Sequence, residues 1–231
     1  MNYGQPHEPV PIAAVLFDFH QTLVQTRDVG GWLAEARTRL GRVPEIPGDE
    51  ARMASLSDIW SHAQTVDPTG LRDLSVAEHR RVSVETMTRF GGFDAALAAM
   101  LYDTLPRQWR CFDDAPGVLR TLHEHGIRLA VVSNIGIDIR PCLEQEGVLE
   151  LFDAIALSYE VGTTKPDQAI FDHAITALDV GPEATLMVGD SWRDDAGAAA
   201  LGIRCLILPP TSGSRHGLEA VLRLAGVDRE V

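Results

Sequence analysis

Three short apolar runs that each stop abruptly at polar residues constrain this chain more than any other feature. Ile12-Ala13-Ala14-Val15-Leu16-Phe17 ends at Asp18, Leu129-Ala130-Val131-Val132 at Ser133-Asn134, and Thr185-Leu186-Met187-Val188 at Gly189-Asp190-Ser191. Apolar runs without polar alternation suit strands buried on both faces, as in a parallel sheet layered by helices. From Asp114 onward, helical stretches (118–125, about 139–145, 168–178, 196–201) alternate with strand-like ones (129–132, 154–157, 186–188, 205–208), and an amphipathic helix closes the chain at 217–224. That rhythm predicts parallel strands joined by helical crossovers. In such sheets ligands gather at the carboxyl ends of the strands, where Asp18 would sit.

The strand rhythm is absent between the first run and residue 110. Roughly 80 residues read as helix instead. One stretch covers 32–40 and stops at Gly41; another covers 51–63 and stops before Asp67-Pro68. A third begins at Ser75, which has capping-box spacing to Glu78, and stops at Gly91-Gly92. The fourth, 93–105, puts Leu97, Met100 and Leu101 on one face. The expected organisation is an α/β core of residues 1–24 and 110–231, with an all-helical insert at 25–109 after the first strand.

At 231 residues and 45% hydrophobic content, the chain can bury a sizeable core. A net charge of −13 argues against nucleic acid or an anionic membrane surface as a partner. Cys111, Cys142 and Cys205 have no metal-ligand spacing and read as reduced thiols. Residues 1–11 are polar and read as a frayed leader rather than a secretory signal. No apolar run approaches the ~20 residues of a membrane span. The expectation is a soluble cytoplasmic protein, monomer or homodimer.

Asp18 can act as a nucleophile through its carboxylate, or can make an ordinary turn at a strand end. The hydroxyls of Thr22 and Ser133 can hold phosphoryl oxygens, and Asn134 can shape its turn. Lys165, in Gly162-Thr163-Thr164-Lys165-Pro166-Asp167, arrives just before a helical pattern, where a point charge can offset phosphoryl charge. Asp18 and Asp190 at neighbouring strand ends would repel each other without a cation between them, and Mg²⁺ suits such a pair. Asp194 and Asp195 follow; at least one of them can simply cap a helix.

Taken in order, Asp18, Ser133-Asn134, Lys165 and Gly189-Asp190-Ser191 with Asp194 resemble the motifs of the haloacid dehalogenase (HAD) superfamily of phosphotransferases and hydrolases, over about residues 12–209. The resemblance implies a Rossmann-like parallel sheet core (the HAD fold), with the helical insert as a C1-type cap over the site. It implies an aspartyl intermediate at Asp18, Lys165 as a catalytic cation, and a small phosphorylated metabolite as substrate. It also implies Mg²⁺ on Asp18, the backbone carbonyl of His20, Asp190 and Asp194. Asp194 matches the family's spacing to the Gly-Ala helix start, with Asp195 as the alternative.

His20 is a departure from the pattern. Phosphatases of the family usually carry a second Asp there as general acid and base, and an imidazole can serve both roles near neutral pH. Dehalogenases and phosphonatases also lack that Asp. Carbon–halogen cleavage, carbon–phosphorus cleavage, or a binding role with little turnover are therefore the implied alternatives. Arg72, His79, Arg80 and Arg81 either reach the substrate from the insert or form a solvated face, and Trp32 and Trp60 read as core of the insert.

Overall fold

The apolar runs form strands of one parallel sheet. The computed structural model describes residues 10–44 and 48–227, so most of the polar leader lies outside the described residues. In chain order the elements are β1 (Ala14–Phe17), β2 (Val24–Thr26), α1 (Val29–Arg39), α2 (Glu50–Ser57), α3 (Ile59–Val66), α4 (Val76–Gly91), α5 (Ala95–Thr104) and β3 (Trp109–Cys111). They continue as α6 (Ala115–Glu124), β4 (Arg128–Ser133), α7 (Arg140–Gln145), β5 (Ala154–Leu157) and α8 (Ser158–Val161). The last four are α9 (Gln168–Leu178), β6 (Thr185–Gly189), β7 (Arg204–Ile207) and α10 (Glu219–Ala225), with a 3-10 helix, Asp195–Leu201, between β6 and β7.

The sheet has the order β5-β4-β1-β6-β7, parallel throughout. Successive side chains of β1 point to opposite faces. Val15 and Phe17 pack with Leu129, Val131, Leu186 and Val188. Ala14 and Leu16 pack with Ala130, Val132, Met187 and the Ile170 and Phe171 of α9. Both faces are covered, which is why the runs show no alternation.

Two features depart from the sequence reading. An antiparallel ribbon of β2 and β3, in register Val24↔Cys111 and Thr26↔Trp109, connects the helical region to the sheet. Its strands are three residues each, too short to carry a periodic signal. The helix expected at 51–63 is broken at Asp58, and the hydroxyls of Ser57 and Ser61 bond the carbonyls of Met53 and Asp58. Such local side-chain bonds compete with helix continuation. At α4 the Ser75 hydroxyl does accept from the Glu78 amide, at 3.4 Å, while the Glu78 carboxylate turns to Arg81.

Helices α1–α5 share a core built on Trp32, Leu33, Met87 and Leu101, with the Trp32 indole donating to the Leu101 carbonyl and the Thr104 hydroxyl. Burial pushes the Cys111 and Cys142 thiols up to about 12, which keeps them protonated and inert. No helix among the described residues is long and apolar enough to cross a membrane.

The helical region docks on the sheet through the 3-10 turn Leu71–Leu74. The Ser158 hydroxyl donates to the Asp73 carbonyl and accepts from the Ile135 amide. Gly136 lies against the same turn: a Cβ there would sit 2.2 Å from the Arg72 carbonyl oxygen and 2.9 Å from that of Ser75. Backbone atoms yield only if the helical region moves as a body. Gly136→Ala is therefore expected to cost about 1–3 kcal/mol, read as a melting temperature lowered by several degrees.

Candidate active site at the carboxyl edge of the sheet

Asp18 follows the last residue of β1, one position beyond the register pairs Phe17↔Val131 and Phe17↔Val188. Its amide donates to the Val188 carbonyl at 2.8 Å, which fixes the backbone at the strand end. Ser133 and Asp190 end or follow the neighbouring strands β4 and β6, so the three residues share one edge.

The Asp18 carboxylate is held on both oxygens. Oδ1 accepts from the Lys165 ammonium at 2.6 Å and Oδ2 from the Thr22 hydroxyl at 3.1 Å. Thr22 is fully buried, and its one hydroxyl proton goes to Asp18, so here it orients the carboxylate. Lys165 reaches a second carboxylate, Asp195 Oδ1, at 2.7 Å. Asn134 braces the Lys165 main chain: its Nδ2 donates to the Lys165 carbonyl at 2.9 Å and its Oδ1 accepts the Lys165 amide at 2.7 Å. Both ends of its amide are thus engaged on the loop.

Of the two adjacent acids, Asp195 is the one against Lys165. It is fully buried, and its Oδ2 accepts the Ser191 amide at 2.9 Å. A Cβ on Gly189 would lie 2.0 Å from that oxygen, so only glycine admits the carboxylate there. Asp194 is partly buried and takes the Ser191 hydroxyl at 2.8 Å.

The site gathers three carboxylates around one ammonium. Burial pushes the Asp190 carboxyl up to about 7, helped by repulsion from Asp18 and Asp195. Burial also raises Asp18, against the pull of Lys165. Lys165 itself is held protonated by Asp18 and Asp195 in spite of its burial. A surplus of buried negative charge is the environment that a divalent cation relieves. Among the described residues no three His, Cys, Asp or Glu side chains are gathered as an ion cage. Mg²⁺ does not need one, since it binds through one or two carboxylates, waters and substrate oxygens. The His20 carbonyl receives no backbone hydrogen bond among the described residues. The donor set therefore fits Mg²⁺.

A cavity of about 360 Å³ opens beside this edge. His20, Gln21 and Asn134 line it from the sheet side, and Trp60, Arg72 and His79 from the helices. Trp60 is thus partly a wall residue, whereas Trp32 is buried within the helical core. Arg80 and Arg81 pair on the surface with Asp103, Glu78 and Glu85, away from the cavity lining. The His20 ring is 6.3 Å, edge-on, from Trp109, and burial holds its pKa down to about 4. It is a neutral imidazole at pH 7.

His79 is held lower still, to about 3, by burial and then by Arg72, and its Nδ1 bonds the Tyr102 hydroxyl at 3.0 Å. The unfolded chain takes up this proton near pH 6.5 and the folded protein does not. Stability carried by neutral His79 is therefore complete above 6.5 and is lost as pH falls toward 3. At pH 5, His79→Gln should show about 2 kcal/mol less acid destabilisation than the parent, each measured against its own pH 7.5 value by urea unfolding. Parallel curves for the two proteins would rule this out.

Residues 12–202 match the family model of haloacid dehalogenase-like hydrolases. The chain belongs to that family. It is 35% identical over 117 residues to the bovine haloacid dehalogenase-like hydrolase domain-containing protein 3, a match covering 49% of this chain and 47% of the relative. It thus spans about half the length of that relative. A phosphoserine phosphatase of Thermus thermophilus is 29% identical over 178 residues, covering 75% of this chain and 72% of the relative. Among solved structures, a magnesium-bound HAD hydrolase of Bacillus subtilis aligns over 93% of this chain and 99% of its own, with TM-score 0.68 and 18% identity. The L-2-haloacid dehalogenase RSc1362 aligns over 94% of this chain and 100% of its own, with TM-score 0.68 and 23% identity. At those identities the structures speak for the fold alone, a HAD-like core built on a five-stranded parallel sheet.

Proposed function

We propose that this hydrolase removes phosphate from a small phosphorylated metabolite by way of an aspartyl-phosphate at Asp18. The observation that carries the reading is the buried strand-end carboxylate held at once by Lys165 and Thr22 beside a cavity. In the first step an Asp18 oxygen bonds to phosphorus and the bond to the leaving oxygen breaks. In the second, water attacks phosphorus, inorganic phosphate departs and the Asp18 carboxylate is restored. Lys165 offsets the charge spread over the phosphoryl oxygens, and Ser133 stands on the same edge as a further ligand. Asn134 acts through the lysine loop.

Asp18, Asp190 and the His20 carbonyl would hold Mg²⁺. Asp194 is the further candidate, because it is only partly buried, whereas Asp195 is fully buried between Lys165 and the Ser191 amide. The ion would supply neutralising charge to the phosphoryl group. Helices α1–α5 act as the cap that encloses the substrate. A net charge of −13 supports a small-molecule partner rather than nucleic acid, in a cytoplasmic monomer or homodimer.

His20 sets the chemistry's limit. A neutral imidazole can accept a proton from the attacking water but cannot give one to the leaving oxygen. Aryl phosphates, whose leaving groups need no protonation, are expected to turn over much faster than alkyl phosphates. The same feature favours a second reading, carbon–halogen cleavage, since a halide also leaves unprotonated. A panel of phosphorylated metabolites and 2-haloacids, assayed with Mg²⁺ and with chelator, separates the readings. Phosphate release lost in chelator is the expected result. Halide release that survives chelator would replace the proposal, and tight ester binding without any release would point to a binding role.

A further inference from the structure

We propose that Arg72, backed by Trp60, recognises a carboxylate on the substrate, so that the ester accepted is a small phosphorylated carboxylic acid. This rests on the phosphatase reading and adds the chemistry of the substrate's far end. Among the described residues, Arg72 is the only lysine or arginine on the wall of the cavity. Its guanidinium is built in. The main-chain amide donates to Asp67 Oδ2 at 2.8 Å, Nε lies 3.4 Å from Asp73 Oδ1, and the guanidinium carbon is 5.9 Å from the Trp60 ring centroid. Nη1 is closed off from solvent and has no hydrogen-bond partner among the described residues.

A buried guanidinium N–H without an acceptor is an unfavourable arrangement that a ligand can correct. The neighbouring His79 is neutral and so does not share the cationic role. Arginine presents donors in a planar fork, which a carboxylate matches with two oxygens and an alcohol does not. A cavity of about 360 Å³ limits the ligand to a few carbons between its phosphate and its carboxylate.

The test uses the full chain carrying Asp18→Asn, so that bound ester is not consumed, with Mg²⁺ present. Calorimetry compares 2-phosphoglycolate with the size-matched 2-hydroxyethyl phosphate. The carboxylated ester is expected to bind about tenfold more tightly or better. Adding Arg72→Gln should erase that margin, and Arg72→Lys, which keeps the charge but loses the fork, should retain part of it; melting curves confirm that both variants fold. Equal affinities for the two esters, or a margin that survives Arg72→Gln, would overturn the assignment. Phosphate release by the wild-type protein is read in parallel. A carboxylate margin without release would keep the Arg72 assignment and sink the phosphatase reading.

Discussion

Asp18→Asn is expected to lower phosphate release by about 10³-fold or more while leaving the fold intact. An amide keeps the size of the carboxylate but is a far weaker nucleophile. The surroundings tolerate it: the Asn oxygen can still accept from Lys165, its NH2 can donate to the Thr22 hydroxyl oxygen, and Lys165 keeps its contact with Asp195. Folding should therefore survive, as near-unchanged circular dichroism and melting would report. The assay needs freshly purified protein with its mass verified, because deamidation would restore the nucleophile. A verified Asn variant that keeps a tenth of the parental rate would rule out the covalent mechanism.

Lys165→Met should do the opposite, removing stability as well as activity. Lys165 is 4% exposed and lies between two carboxylates that are 8% and 0% exposed. Without the ammonium, Asp18 and Asp195 face each other buried and unpaired, at a cost of about 3–5 kcal/mol near neutral pH. Burial already raises the Asp18 carboxyl against the pull of Lys165, and without that cation it rises further, so its stability contribution is present at low pH and lost as pH rises. The deficit relative to the parent should shrink below about pH 5 and widen toward pH 8. Adding Asp195→Asn should recover part of the loss, which a double-mutant cycle in urea would quantify. A Lys165→Met protein with the parental urea midpoint at pH 7.5 would show that the lysine contributes nothing to the fold.

The sheet was legible because its strands are covered on both faces and therefore unbroken in hydrophobicity. The edge was legible because each run stops at a polar residue. Sequence favoured Asp194 over Asp195 by family spacing alone, since the two are adjacent and chemically identical. The structure gives the two different partners: the Ser191 hydroxyl donates to Asp194, whereas the Ser191 amide and Lys165 donate to Asp195. Spacing could not show that Thr22 spends its proton on Asp18, or that Asn134 holds the main chain of a residue 31 positions away. Arg72 was one of several cap cations in the sequence; only its place on the cavity wall, with Arg80 and Arg81 paired on the outer surface, distinguishes it.

The central position of β1 has a consequence for how the chain is made. Ala14 pairs with Arg128 and Thr185, which lie 114 and 171 residues downstream. At about 5–20 residues per second, a ribosome finishes β4 only after roughly 6–23 s and β6 later still. β1 is thus the first strand to emerge, and it waits for both of its neighbours. The helices synthesised in between meet local partners at once, so they can condense while β1 waits. Newly made protein should accordingly depend on holding chaperones during that interval, and codon changes that slow synthesis between β1 and β4 should lower soluble yield without altering the finished molecule.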